Sequence, residues 1–284
     1  DTVVVFVSED NEEKVGEISG EADCLESPEE CENALGEQSE AEVPEYIVEA
    51  WKTTIGNGFG TSVQQTVDGG FIVTGVDFDD EGGVLLQKID SQGNYEWKKS
   101  FADGWGESVE QTVDGGFIIS GFEGGIFGSE IFLIKADRQG NQVWRKNFGS
   151  GLGASVQQIA DGGFIIVGGD AFYMFLLRAD NQGSEVWRKT FTVSWGRMVD
   201  QTADGGFIVA GWNDSDNDSD VVLLKADAQG DEVWRKNLGK GQGGSVQQTA
   251  EGGFVVAGKE TDGGIPFLLL LKLDSQGNEE WRKT

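Results

Sequence analysis

Two short markers recur through the chain in step with each other. The tetrapeptide (D/E)-G-G-F begins at Asp68, Asp114, Asp161, Asp204 and Glu251, with offsets of 46, 47, 43 and 47. The tripeptide W-(K/R)-K begins at Trp97, Trp144, Trp187, Trp234 and Trp281, with offsets of 47, 43, 47 and 47. A fixed period of this length restricts a chain to architectures built by stacking one supersecondary unit, and five units are present. The composition of 44 Gly and 3 Pro in 284 residues fits many tight turns.

Each unit reads as four strands. In unit 1 the stretch Ser62 to Thr66 is the first, and a D-G-G turn leads into F-I-V-x-G, the second. After a variable loop, V-L-L-x-K-x-D (Val84 to Asp90, and Val221 to Asp227 in unit 4) forms the third. An x-Q-G-N turn then enters the W-(K/R)-K strand, whose alternation of Val143 and Arg145 with Trp144 and Lys146 suits a half-exposed outer position. The runs of Phe, Ile, Val and Leu in strands two and three suit sheets buried on both faces. Helical periodicity is absent. A β-solenoid would use shorter coils and a β-sandwich would not repeat so regularly, so the pattern predicts an all-β, five-bladed β-propeller of four-stranded antiparallel blades over residues 51–284. Closure into a ring is expected with it.

The string DGGFIVAG…LLLKADxQGNEVWRK resembles the propeller repeats of many secreted bacterial and archaeal proteins. That family is defined by architecture, so the resemblance implies a fold and an extracellular setting, and no activity.

Residues 1–50 are of another kind, an acidic N-terminal extension carrying 17 Asp or Glu against the single Lys14. Thr2, Val3, Val4, Val5, Phe6 and Val7 form an apolar β-branched run within it, and 8–45 read as a tether too poor in apolar residues to build a core. Trp51-Lys52-Thr53, followed by Gly56, Gly58 and Gly60, is a sixth copy of the fourth-strand motif. Two segments, 48–53 and 279–284, therefore compete for one outer position in a closed five-unit ring. The surplus strand adds to a blade, latches the ring or pairs with a neighbouring molecule, and an array cut from a longer one is a further alternative. Strand donation through Thr2 to Val7 and Trp51 is the expected route to self-association, head to tail and filamentous unless the rotation closes.

With no His, the chain has no imidazole base, no Ser-His-Asp or Cys-His group and no His-ligated zinc. The net charge of −29, from 50 acidic and 21 basic residues, repels nucleic acid and anionic membrane surfaces, and no apolar run is long enough to span a bilayer. Cys24 and Cys31 suit a local disulfide in an oxidising compartment. The sequons at Asn213 and Asn217 share one polar loop and suit glycosylation. The chain begins at Asp1 and reads as a processed, secreted or cell-surface protein.

Departures from the repeat near the first strand mark where a ligand could sit. Aligned positions read Phe59, Trp105, Leu152, Trp195 and Gln242, then Thr61, Glu107, Ala154, Arg197 and Gly244, then Gln64, Glu110, Gln157, Asp200 and Gln247. Only units 2 and 4 pair Trp with charge. Trp105 and Trp195 offer stacking area to a sugar, and Glu107, Glu110, Arg197 and Asp200 offer hydrogen bonds to hydroxyls, while packing and channel ion pairs explain the same residues. Glu110 and Asp200 also admit a carboxylate glycosidase. The invariant Gln65, Gln111, Gln158, Gln201 and Gln248 suggest a structural polar ladder. Asp214, Asp216, Asp218 and Asp220 alternate as calcium loops do, but without the Gly or distal Glu of an EF-hand. The reading is a non-enzymatic structural or adhesive subunit needing no cofactor. A glycan-binding propeller and the glycosidase are the alternatives, and glycans or cell-surface proteins are the possible outside partners.

Overall fold

The computed structural model describes residues 56–284 except 80–81, 102–103, 125–127, 171–172, 194, 216–217 and 263–264. The expected strand Thr2–Val7, the Cys24–Cys31 pair, the tether 8–45 and Trp51 lie outside the described residues, as do Asp216 and Asn217.

The described residues form strands joined by turns. Unit 1 comprises β1 (Gly58–Gln65), β2 (Phe71–Asp77), β3 (Gly83–Ile89) and β4 (Tyr95–Phe101). Unit 2 comprises β5 (Trp105–Gln111), β6 (Phe117–Glu123), β7 (Glu130–Ala136) and β8 (Gln142–Ser150). Unit 3 comprises β9 (Leu152–Gln158), β10 (Phe164–Gly169), β11 (Met174–Ala179) and β12 (Glu185–Phe191). Units 4 and 5 comprise β13 (Trp195–Gln201), β14 (Phe207–Ser215), β15 (Asp218–Ala226), β16 (Glu232–Gln248), β17 (Phe254–Asp262), β18 (Ile265–Leu273) and β19 (Glu279–Lys283). Neighbouring strands are antiparallel and follow sequence order, in three four-stranded sheets and one of seven strands. The seven-stranded sheet arises because β16 pairs with β15 through Glu232–Lys240 and with β17 through Gly241–Gln248. One strand thus serves as the outer strand of unit 4 and the inner strand of unit 5.

Turn chemistry explains this regularity. At Asp204, one carboxylate oxygen accepts from the Thr202 hydroxyl (2.6 Å) and the Gly206 N–H (3.0 Å), and the side chain pairs with the Lys225 ammonium on β15. The Thr202 hydroxyl and these other donors hold the Asp204 carboxyl at about 2. The same acid bonds its turn and reaches the third strand in unit 1 (Asp68 to Lys88) and unit 2 (Asp114 to Lys135). In the x-Q-G-N turn, Asp90 accepts the N–H groups of Gln92 and Asn94, and Gly93 takes φ 82°, a conformation an L side chain rarely adopts.

The core lies between consecutive units. Ile72, Val84 and Leu86 of unit 1 pack against Val109, Phe117 and Ile119 of unit 2, and Ile118, Ile131 and Leu133 meet Val156, Phe164 and Ile166 of unit 3. Alternate residues of strands two and three point to opposite neighbours, which is why these strands are apolar at nearly every position. Outside this layer each W-(K/R)-K tryptophan sets its edge on the first Phe of the next unit, as Trp97 on Phe117, Trp144 on Phe164, Trp187 on Phe207 and Trp234 on Phe254, at 5.8–6.0 Å. The outer strand is half-buried for this reason.

Ring closure, expected from the repeat, is not made by the described residues. Val109, Val156, Val199 and Val246 are at most 5% exposed where each unit packs on its predecessor, whereas their unit 1 counterpart Val63 is 60% exposed. At the other end Leu268 is 78% exposed, although its counterparts Val84, Ile131, Met174 and Val221 are buried. The inner edges that would meet on closure, at Val63 and Leu268, are exposed.

Candidate functional site

The inner strands β1, β5, β9, β13 and the second half of β16 carry the residues that depart from the repeat. Strand register places the aligned aromatic positions opposite the end of each second strand, Trp105 against Phe122 and Trp195 against Trp212. Trp105 stacks on Phe122 with ring planes 6° apart and centroids 6.3 Å apart. Trp195 stacks on Trp212 at 6.1 Å and 25°, and its indole N–H donates to Asp214 (3.2 Å). Each indole is therefore backed by an aromatic ring of its own unit. Trp105 remains 41% exposed.

The charged residues join different units. Arg197 of β13 donates to Glu107 of β5 at 3.1 Å, bridging units 2 and 4 across unit 3. Asp200 accepts from the Gln157 amide at 2.8 Å. The Glu110 carboxylate accepts the Gln158 backbone N–H of the next unit. Gln64 does the same for the Gln111 N–H (2.6 Å) and Gln157 for the Gln201 N–H (2.7 Å), so Glu110 occupies a position that takes a neutral amide acceptor in units 1 and 3. Burial in this layer pushes the Glu110 carboxyl up to about 7, and the Asp200 charge adds to that rise, while the Gln158 N–H opposes it.

The invariant Gln positions make the expected ladder. Gln111, Gln158, Gln201 and Gln248 each accept, through Oε1, a backbone N–H from the preceding unit, from Val67, Val113, Ala160 and Ala203, at 2.8–3.1 Å. Sequence reading did not single out Gln64 and Gln157 as acceptors, nor Phe122 and Trp212 as the platforms behind the indoles. The signal for the platforms was available, because an antiparallel pair places residues before strand one's Gln opposite residues after strand two's Gly.

The acidic loop is engaged locally. Asp214 also accepts from the Ser219 hydroxyl (2.7 Å), and Asp220 accepts from the Asn237 amide (2.8 Å). Asp218 is the strand partner of Ser215, and Asn213 is that of Asp220. Among the described residues no group of three or more Cys, Asp or Glu is placed to hold a metal ion.

No family model and no curated protein matches the chain. Solved structures do. One reported as the structure of U3-55K is similar with a TM-score of 0.59 and 9% identity, covering 81% of this chain and 65% of that one. The structure of a Dos1 propeller is similar with a TM-score of 0.53 and 12% identity, covering 80% of this chain and 61% of that one. The chain thus spans less than two thirds of the length of either. At these identities the likeness concerns the fold alone: this is an all-β protein of antiparallel four-stranded sheets with the propeller architecture.

Proposed function

We propose that the chain is a non-enzymatic β-propeller subunit of five blades, one per repeat unit, with a structural or adhesive role outside the cell. It associates with further copies, and the N-terminal strand Thr2–Val7 donated to a neighbour's sheet edge is one route. The observation that carries the non-catalytic reading is how the polar inner residues are used. Glu110 and Asp200 each accept a hydrogen bond from a neighbouring unit and the Arg197–Glu107 pair joins units 2 and 4, so the carboxylates a glycosidase would need serve as inter-unit acceptors. The lack of His and the repetition of near-identical units point the same way. The extracellular setting rests on Cys24, Cys31 and the sequons at Asn213 and Asn217. Light scattering of the full chain and of a variant lacking residues 1–43 tests the strand route. A lower assembly mass on deletion is the expected result, because the strand reinforces contacts between copies, and equal masses for the two proteins would remove the tether from the account.

A second reading, a glycan-binding propeller, is favoured by one feature. Trp105 presents an exposed indole held flat against Phe122, in a layer that also holds the Arg197–Glu107 pair. Trp105→Ala should abolish binding to any glycan the protein retains on an array, and binding that survives the substitution would place the sugar elsewhere.

A further inference from the structure

Each junction between units repeats one inner contact. Val84 abuts Gly106, Ile131 abuts Gly153, Met174 abuts Gly196 and Val221 abuts Gly243, and a Cβ on these glycines would lie 2.8–3.4 Å from the side chain of the preceding unit. The apolar residue at the start of one unit's third strand thus fills the space a side chain would need on the next unit's first strand. Two hydrogen bonds accompany it in the same layer. At all four junctions the residue after Q-T or its equivalent donates its N–H forward to a Gln, as Val67 to Gln111, and at the first three a Gln or Glu accepts an N–H returned from the next unit, as Gln64 from Gln111.

One half of this junction is left over at each end of the array. On unit 5, Leu268 is exposed, Leu270 and Val255 are only partly covered, and Ala250 occupies the donor position. On unit 1, a Cβ on Gly60 would meet, among the described residues, its own unit's Val73 at 3.6 Å, with Val63 and Gln65 exposed beside it. The outer part of unit 1's face, including Leu85 and Ile89, is buried, so its inner edge is the open portion. That edge is where a residue in the place of Leu268 belongs. The described residues do not bring the two ends together within one chain, and docking two copies repeats the interior junction as it stands.

The geometry points to a head-to-tail interface between copies of this chain, in which Leu268 of one copy seats on Gly60 beside Val63 of another. The Ala250 N–H donates to Gln65, and the Gln65 N–H donates to Gln247. This inference rests on the self-association reading above and names a surface for it separate from the N-terminal strand. The interface is heterologous, so copies add in one direction and form a filament unless the rotation closes it. Screening the like charges of a −29 chain strengthens it, so added salt should favour assembly.

Four full-length proteins, wild type, Leu268→Asp, Val63→Asp and the control Val143→Asp, tested by light scattering with circular dichroism as the folding check, decide the matter. Both positions are exposed, so both variants should fold. The wild type should grow in mass with concentration, and each variant alone should remain a single chain. A mixture of the two variants should form a one-to-one pair and nothing larger, because each retains one intact end. Val143→Asp, on the exposed outer strand, should assemble as the wild type does. A wild type that is monomeric at every concentration would overturn the association reading along with this interface. An assembling wild type indifferent to both substitutions would overturn this interface alone. A mixture that stays monomeric would overturn the pairing of these two surfaces.

Discussion

Phe164→Ala should remove about 3–5 kcal/mol of stability, a third or more of what a domain commonly has. Phe164 is 1% exposed, opens β10 in the D-G-G-F marker, and packs with Ile118, Ile131 and Leu133 of the preceding unit. The Trp144 ring rests on it from outside at 6.0 Å and 68°. Truncation therefore leaves a cavity at the junction of units 2 and 3 that neither rigid sheet can move to fill. In a thermal scan the loss should appear as a fall in Tm of roughly 6–20 °C. Trp144→Ala in the Phe164→Ala background should cost less than alone, by about 0.5–1.5 kcal/mol, the coupling typical of an aromatic pair. Val143→Ala, exposed on the adjoining β8, should change stability by no more than about 0.5 kcal/mol. A Phe164→Ala protein melting within a degree or two of the wild type would mean that the junctions are not the source of cohesion.

The second large effect has the opposite sign. Glu110→Gln should stabilise the protein at pH 8 by up to about 3 kcal/mol, and hardly at all at pH 4. The folded Glu110 carboxyl sits at about 7 against an ordinary 4.5, chiefly because it is buried. A carboxyl raised on folding binds its proton more tightly in the native state, so stability is full below about 4.5 and declines as pH rises toward 7. Glutamine keeps an oxygen for the Gln158 N–H, as Gln64 and Gln157 do in their units, and has no charge to desolvate. The window belongs to Glu110. The D-G-G turn acids Asp68 and Asp204, held at about 2, contribute stability above 3.8 that is lost only as pH falls toward 2, and the chain has no His. Denaturant melts from pH 4 to pH 8 should slope downward for the wild type across 4.5–7 and run flat for the variant. A variant less stable than the wild type at pH 8 would show that the carboxylate is needed where it stands.

Features of the fold that recur in every unit were readable from the chain. The D-G-G and x-Q-G turns and the apolar second and third strands each have a local physical cause that five copies repeat, and the Gln ladder recurs at the four junctions between units. What escaped the sequence depends on position in the array. Leu268 and Val221 occupy the same place in the repeat, yet one is bare and the other buried, because among the described residues only Val221 has a further unit packed against it. No pattern within a unit can register that difference. The inner charges divide in the same way. That ion pairs form among these residues was open to sequence, though not which acid Arg197 would take. The neutral-pH titration of Glu110 was not, because it follows from burial between neighbours.

The shared strand β16 has a mechanical consequence. Residues 232–248 run without a break from the rim of unit 4 to the interior of unit 5, so a pull on the chain meets a continuous hydrogen-bonded ribbon at that boundary. Stretched from its termini, the array should part first between separate sheets, as between β4 and β5, and the last two units should come away as one piece.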